Sequence, residues 1–245
     1  MDSSPPMGGK QVSATAKGSV GPGAMRIKAV AFDLDGTLYP NYKFYFHSIP
    51  FFLPHPRLVA HFRKIRTTIR TIRPIRNFRR LQAELLAISL RTTVETAAEL
   101  IEREIYGKWE SVFARVTAFP GAGQLLARLR GRGVKLAVIS DLPVERKLRF
   151  LKLDSYFDCA FSAEETGYLK PNPEPFLALT ERLGLAPGDV LYVGNNYKYD
   201  ILGAKEVGMR SAHLTGKRVA GSRADLTFSS YGQLEDSILE HIAGS

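Results

Sequence analysis

Three short runs of mostly apolar residues stand out along the chain, and each ends at a polar residue or at a glycine that polar residues follow. Runs of four to eight such residues are typical of strands in a parallel sheet that is covered on both faces. A weaker run at residues 210–214 predicts a fourth strand. The three strong runs are residues 27–32, 134–139 and 190–193.

Segments with helical spacing lie between and after these runs. Strands that alternate with helices predict an α/β fold with a doubly wound parallel sheet. Ligands of such sheets bind outside the carboxyl ends of the strands, and Asp33, Ser140 and Asn195 stand at those ends. We therefore expect a functional site at that edge of the sheet. The helical segments are residues 123–129, 144–151, 174–183, 201–207 and 233–242.

One long segment, residues 39–118, interrupts the alternation and contains helical patterns instead of buried strands. Its apolar positions recur at spacings of three and four, which predicts helices with one buried face, and Pro74 should end or kink the first of them. We predict a mostly α-helical cap at 39–118, inserted into an α/β core formed by residues 26–38 and 119–245. The apolar positions are Phe62, Ile65, Ile69 and Ile72 in the first helix, and Leu85, Ile88, Leu100, Ile101 and Ile105 after it.

Composition and charge narrow the class of protein. The chain has 245 residues, a formal net charge of +10 and one cysteine, Cys159, which fits a reducing compartment such as the cytoplasm. No apolar run approaches the ~18 residues that a membrane span needs, so we expect no membrane partner. Residues 1–25 are rich in Ser, Gly, Pro and Ala, and we expect them to form a disordered tail. The positive charge favours anionic partners.

The strongest chemical signal is the stretch around the end of the first run, where Asp33 and Asp35 stand two residues apart. A carboxylate such as Asp33 can attack phosphorus and form an acyl phosphate, which splits one difficult displacement into two steps. Asp35 can protonate the leaving oxygen and later take a proton from water. Gly36 permits a tight turn after the strand, and the Thr37 hydroxyl can hold Asp35 or a phosphate oxygen.

This motif resembles that of the haloacid dehalogenase superfamily, and three later elements fit the resemblance in order and spacing. They are Ser140, Lys170 followed by Pro171, and the segment from Gly194 to Asp200. The resemblance covers about residues 27–214 and implies the phosphatase-like branch of that family.

The resemblance implies a role for each matching residue. The Asp33 side chain and the Asp35 carbonyl match the family's Mg²⁺ ligands, and Mg²⁺ suits a site that must neutralise charge between a carboxylate and a phosphate. Ser140 matches the residue that hydrogen-bonds the phosphate, and the adjacent Asp141 is included with it. Lys170 matches the active-site lysine, a point charge for the nucleophile and the phosphoryl oxygens.

The fourth element departs from the family pattern. Phosphatases of this family usually carry an aspartate directly after the glycine, whereas this chain has Asn195. An amide oxygen can bind Mg²⁺ but brings no negative charge, so the predicted metal site of Asp33, Asp35 and Asn195 includes Asp200 as compensation. Asp200 also stands where a helix N-cap is expected.

The sequence predicts a phosphohydrolase that acts on a small phosphate monoester, and it leaves two alternatives open. One is a metal-independent 2-haloacid dehalogenase-like hydrolase, although Asp35 favours phosphoryl transfer because a halide needs no proton. The other is a catalytically weak module that binds nucleic acid through a basic stripe on the cap. The stripe residues are Arg63, Lys64, Arg66, Arg70, Arg73, Arg76 and Arg79.

Overall fold

The computed structural model describes residues 27–217, 219–239 and 242, so the predicted tail at 1–25 lies outside the described residues. Within that part of the chain, six parallel strands form one sheet in the order β3-β2-β1-β4-β5-β6. The fold class predicted from the sequence is confirmed. The strands are β1 (Ala29–Phe32), β2 (Lys135–Ser140), β3 (Cys159–Ser162), β4 (Val190–Gly194), β5 (Arg210–Leu214) and β6 (Leu226–Phe228).

Helices cover both faces of this sheet. Successive residues of β1 point to opposite faces, so Val30 and Phe32 pack in one cluster with α6 and α10, while Ala29 and Ala31 pack in the other with α8. All four side chains are fully buried, which is why β1 has no polar position before Asp33. The core helices are α6 (Ala122–Gly131), α7 (Glu145–Leu151), α8 (Pro173–Leu183), α9 (Leu202–Glu206) and α10 (Tyr231–Ile238).

The segment between β1 and β2 is helical, as predicted. Its helices α2 and α3 bury their apolar faces in the same cluster as the α8 side of the sheet. A π-helical turn, Ile101–Tyr106, joins the fourth helix to the fifth. The helices of this cap are α1 (Asn41–Phe52), α2 (Pro56–Ile69), α3 (Phe78–Leu90), α4 (Val94–Leu100) and α5 (Gly107–Phe113). In the described residues, no helix has both the length and the apolar character to cross a membrane.

Two side chains predicted on buried helix faces lie outside them. The helix α2 ends at Ile69, and Ile72 is 38% exposed beyond it. The residue before a proline avoids the helical region, so the chain leaves the helix several residues before Pro74 and Ile72 loses its place on the buried face. On α3 the buried face runs through Phe78 and Leu86, and Ile88 points outward at 76% exposure.

Two further strands, β3 and β6, have no apolar run that predicts them. Both lie at the edges of the sheet and are short, at four and three residues. Cys159 and Ala160 of β3 are only half-buried, as is Leu226 of β6. A partly exposed strand does not require a continuous apolar run. The other strands are predicted by such runs, and these two are not.

The basic stripe on α2 partly faces the core. Arg66 donates to the Glu164 side chain and to the Asp141 carbonyl. Arg70 donates to Asp141 Oδ2 at 2.5 Å and to the Lys170 carbonyl at 2.6 Å. These bonds connect the cap to the loops at the carboxyl ends of the strands. Arg66 and Arg70 therefore hold the cap against the core.

We expect Arg66→Met to lower the free energy of unfolding by about 1–3 kcal/mol, because it leaves Glu164 without its partner in a half-buried position. The matched control is Arg63→Met on the exposed side of the same helix, which should stay within about 0.5 kcal/mol of wild type. Urea unfolding of the three proteins measures the difference. Equal losses of stability in both variants would contradict a specific contribution of the Arg66–Glu164 contact.

Candidate active site

Asp33 lies at the carboxyl end of β1, where its backbone N–H donates to the Val193 carbonyl of β4 at 2.8 Å. Only 6% of the residue is exposed. Lys170 Nζ donates to Asp33 Oδ1 at 2.7 Å, and the Thr37 hydroxyl donates to Oδ2 at 2.8 Å. Both oxygens of the predicted nucleophile are therefore held in a fixed orientation.

Lys170 stands between two carboxylates. Its ammonium group donates to Asp33, to Asp200 Oδ1 at 2.6 Å and to the Tyr192 hydroxyl at 3.1 Å, and only 2% of the residue is exposed. Burial alone would lower the pKa of this lysine, but the two carboxylates outweigh burial and raise the pKa well above its usual value. Lys170 is therefore charged, and the cluster of Asp33, Lys170 and Asp200 carries a net charge of about −1 when both acids are ionised.

Asp33 has a raised pKa. Burial is the main cause and the Asp200 carboxylate adds to it, while Lys170 acts in the opposite direction; together they raise the pKa of Asp33 from 3.8 to about 7. A carboxylate in this environment is poorly solvated. A poorly solvated anion at a strand end is a reactive nucleophile, and a cation placed beside it would favour the ionised form.

Asp35 stands in a different environment. Ser140 Oγ donates to its Oδ2 at 2.7 Å, Tyr39 donates its hydroxyl to Oδ1, and Lys147 Nζ lies 2.6 and 2.8 Å from the two oxygens. Burial raises the pKa of Asp35, but Lys147 and the hydrogen bonds outweigh burial and bring the pKa below its usual value. The two carboxylates of the motif thus have pKa values shifted in opposite directions, because each has a different balance of burial and neighbouring charge.

A tight turn holds the motif against the fourth element. Gly36 has φ of +87°, and a Cβ atom there would lie 2.3 Å from the amide nitrogens of both Asn195 and Asn41. Thr37 Oγ1 lies 3.4 Å from Asn195 Oδ1. Glycine is therefore required both by the backbone conformation and by the close approach of two side chains.

Most of the predicted site residues line one cavity of about 230 Å³ between the sheet edge and the cap. Thr37 and Ser140 are fully buried behind it, and each bonds to one of the motif's carboxylates. Arg70 of the cap also lines the cavity. The predicted residues in its lining are Asp33, Asp35, Asp141, Lys170, Asn195 and Asp200.

Four residues make contacts other than those expected from the sequence. Ser140, expected to hydrogen-bond the phosphate, donates to Asp35 Oδ2. Asp200 does not cap a helix: Asn196 is the N-cap, and Asp200 accepts from the Asn196 backbone N–H and from Lys170. Asp141 pairs with Arg70 and accepts from the Lys170 backbone N–H at 3.0 Å, so its carboxylate fixes a loop. Thr37, expected to hold Asp35 or a phosphate oxygen, holds Asp33.

The donors present can be tested against the Mg²⁺ that the family implies. Within the described residues, no group of three or more His, Cys, Asp or Glu side chains could hold a metal ion. The Asp33 carboxylate and the Asn195 amide oxygen nevertheless both lie within 3.4 Å of the same Thr37 hydroxyl. Side-chain oxygens of this kind, joined by a backbone carbonyl such as that of Asp35, suit Mg²⁺, which keeps several waters. The residues fit a Mg²⁺ site with few protein ligands.

Several site residues carry no signal that sequence reasoning could isolate. In the sequence, Lys147 is one of several basic residues on a predicted amphipathic helix. Tyr192 is one residue of a predicted apolar strand. The ring of Tyr39 packs against Phe113 of the cap, and its hydroxyl donates to Asp35. His213 of β5 lies 3.2 Å from the Asn195 carbonyl. Only the three-dimensional arrangement brings these four side chains to the motif.

A Rossmann-like core, an inserted helical cap and an aspartate at the end of the first strand define a class of hydrolase. The model of haloacid dehalogenase-like hydrolases matches residues 27–208, and the chain belongs to that family. It is 30% identical over 198 residues to the glyceraldehyde 3-phosphate phosphatase of Methanopyrus kandleri, a match that covers 75% of this chain and 82% of that protein. It is 29% identical over 144 residues to the phosphoglycolate phosphatase of Shigella boydii, with 55% and 57% covered.

Solved structures give a complementary result. The 2-haloacid dehalogenase of Pseudomonas syringae pv. Tomato superposes with a TM-score of 0.68 at 27% identity, covering 86% of this chain and 98% of that one. A HAD phosphatase of Thermococcus onnurineus superposes with a TM-score of 0.59 at 23% identity over 88% of this chain and 99% of that one. The fold is thus shared with hydrolases of both chemical types.

We expect Gly36→Ala to displace the turn that follows Asp35 and the side chains of Asn195 and Asn41 that pack against it. The added methyl group would collide with Asn195 and Asn41, and φ of +87° is unfavourable for alanine. Hydrolase activity should fall by about 100-fold or more, since a small displacement of catalytic groups lowers the rate steeply. Gly216→Ala is the control, because a Cβ there meets nothing within 4 Å. Wild-type activity in Gly36→Ala would contradict this geometry.

Asp33→Asn should stabilise the protein at neutral pH. Between the unfolded pKa near 4 and the folded pKa of about 7, the folded state binds more protons than the unfolded one, so stability falls as the pH rises through that window. The neutral amide removes this penalty, while Lys170 keeps Asp200 as counter-ion. Melting temperature should therefore rise by about 2–6 °C at pH 8, and the gain should shrink towards pH 4.

The control for this measurement is Asp154→Asn at an exposed position, which should show no such pH-dependent gain. A gain in Asp33→Asn that is the same at pH 4 and pH 8 would show that titration of Asp33 is not its source.

Proposed function

We propose that this hydrolase cleaves a small phosphate monoester through an aspartyl-phosphate on Asp33, with Mg²⁺ as cofactor. The observation that carries the proposal is the pair of carboxylates in one cavity, Asp33 and Asp35, each of which is held by a lysine of its own. A reaction whose leaving group is a halide would not need the second carboxylate as an acid. The phosphatase relatives support the same reaction type.

The proposed reaction consists of two half-reactions, in which Asp33 is the nucleophile and Asp35 the acid and then the base. An Asp33 carboxylate oxygen attacks phosphorus, the bond from phosphorus to the ester oxygen breaks, and the leaving oxygen takes its electron pair and a proton from Asp35. Water then attacks phosphorus, Asp35 takes a proton from it, and release of phosphate restores the Asp33 carboxylate. Asp35 as the structure shows it is the ionised form that the second half-reaction needs, and it must take up a proton before the first.

The surrounding groups bind and orient. Lys170 holds Asp33 by one oxygen and presents positive charge to the phosphoryl group, and Ser140 and Thr37 fix the two carboxylates from behind. Mg²⁺ held by Asp33, the Asp35 carbonyl and Asn195 would neutralise charge between nucleophile and phosphate, with Asp200 acting through Lys170. The cap covers the cavity and would limit access of water.

The size of the cavity indicates the class of substrate. About 230 Å³ accommodates a phosphate with a short organic group. Glyceraldehyde 3-phosphate and phosphoglycolate, named for the relatives, are of that size. We therefore propose phosphorylated metabolites with two to four carbons as the first compounds to test.

The dehalogenase alternative keeps one specific observation in its favour, the superposition on the Pseudomonas enzyme. The nucleic-acid alternative is less well supported, because three arginines of the stripe already pair with carboxylates of the protein. Arg66 and Arg70 pair with residues of the core, and Arg79 pairs with Glu102. Chloride release from 2-chloropropionate tests the first alternative, and filter binding at two salt concentrations tests the second.

Hydrolysis of p-nitrophenyl phosphate by wild type and Asp33→Asn, with and without Mg²⁺, tests the proposal. We expect activity in wild type that falls by about 1,000-fold or more in Asp33→Asn, because the covalent step is lost, and that falls strongly with chelator. Asp154→Asn serves as the matched control. Equal activity in wild type and Asp33→Asn would refute the nucleophile, and activity that chelator leaves unchanged would refute the metal.

A further inference from the structure

The carboxylate of Asp35 is held by a lysine from a different element than the motif. Lys147, the third residue of α7, places Nζ at 2.6 Å from Oδ1 and 2.8 Å from Oδ2. Only 4% of this lysine is exposed. A single ammonium group that contacts both oxygens fixes the plane of the carboxylate, whereas Ser140 and Tyr39 each hold one oxygen.

The cap covers the other side of this ammonium group. The ring centroids of Trp109 and Phe113, both on α5, lie 5.4 and 5.5 Å from Lys147 Nζ. Aromatic faces attract a cation at such distances, and they exclude water from it. Lys147 therefore lies between Asp35 in the core and two rings of the last cap helix.

Packing against the cap does not by itself account for a charged residue in this place. Burying an ammonium group costs several kcal/mol of lost hydration even where a partner is present. An apolar side chain of the same length would pack against Trp109 and Phe113 without that cost. What the ammonium group supplies and an apolar side chain does not is a counter-charge for the Asp35 carboxylate together with a fixed orientation of that carboxylate, two residues after the proposed nucleophile.

We propose that Lys147 is a positioning residue of the active site, which holds the Asp35 carboxylate in the orientation from which it exchanges protons with the leaving oxygen and with water. This inference rests on the proposed function. Lys147 acts through Asp35, and the rings of α5 keep it in place, so the last cap helix is part of the same arrangement.

The test compares Lys147→Met, Lys147→Arg and the control Lys152→Met, which lies exposed directly after α7. We expect kcat for p-nitrophenyl phosphate to fall by about 10- to 100-fold in Lys147→Met, a part of what acid–base catalysis contributes, while KM changes by less than about threefold. Lys147→Arg, which can also contact both oxygens, should recover a large part of kcat. Lys152→Met should match wild type.

A double-mutant cycle separates positioning from a general structural effect. If Lys147 acts through Asp35, adding Lys147→Met to Asp35→Asn should change kcat by less than about twofold. Effects of the two substitutions that multiply would overturn the inference, as would a Lys147→Met protein with wild-type kcat. Melting temperatures check the fold, and Lys147→Gln replaces Lys147→Met if the latter does not fold, because its amide is polar but uncharged and its side chain is one atom shorter than that of lysine.

These outcomes are distinct from failure of the proposed function. Wild type that hydrolyses no phosphate monoester contradicts the proposed function and this inference with it. Wild type whose activity depends on Asp33 but not on Lys147 contradicts the inference alone.

Discussion

The buried ammonium group of Lys170 is the interaction on which the rest of the site depends. Two carboxylates that are almost excluded from water, Asp33 and Asp200, share it at 2.7 and 2.6 Å. Without it, two buried negative charges would face each other, which no protein interior tolerates without neutralising one of them by protonation. The Tyr192 hydroxyl and the Asn196 backbone N–H supply further donors. The fold must therefore bring β1, β4 and the loop before α8 to one point.

This requirement extends to the backbone and to the cap. A Cβ atom at Gly194 would lie 2.3 Å from Asp200 Cβ, so the strand end must be glycine for Asp200 to reach the lysine. The backbone of Lys170 is fixed in turn, because its N–H donates to Asp141 and its carbonyl accepts from Arg70. The cap thus bonds to the residue that neutralises Asp33, so a displacement of α2 from the core would disturb the orientation of Lys170 directly.

The sequence predicted those parts of the molecule whose physical cause is local. Buried central strands require continuous apolar runs, so β1, β2 and β4 were found and the half-exposed edge strand β3 was not. The position of Asp33 in the cavity could be predicted because it directly follows the last residue of an apolar strand. The role of Lys147 depends on packing of α7 against the motif over more than one hundred residues, and the direction of Arg70 depends on the position of the cap. No periodicity encodes such long-range placement.

The amide at Asn195 can be understood from the same balance of charges. With Asp33 and Asp200 ionised, the cluster already carries one negative charge more than Lys170 neutralises, and the pKa of Asp33 is raised to about 7. A carboxylate in place of the Asn195 amide, whose oxygen lies 3.4 Å from the Thr37 hydroxyl that binds Asp33, would add a second excess charge. It would raise the pKa of Asp33 further unless a cation were bound. The amide therefore attracts Mg²⁺ less strongly than a carboxylate would, but it leaves Asp33, the proposed nucleophile, easier to ionise.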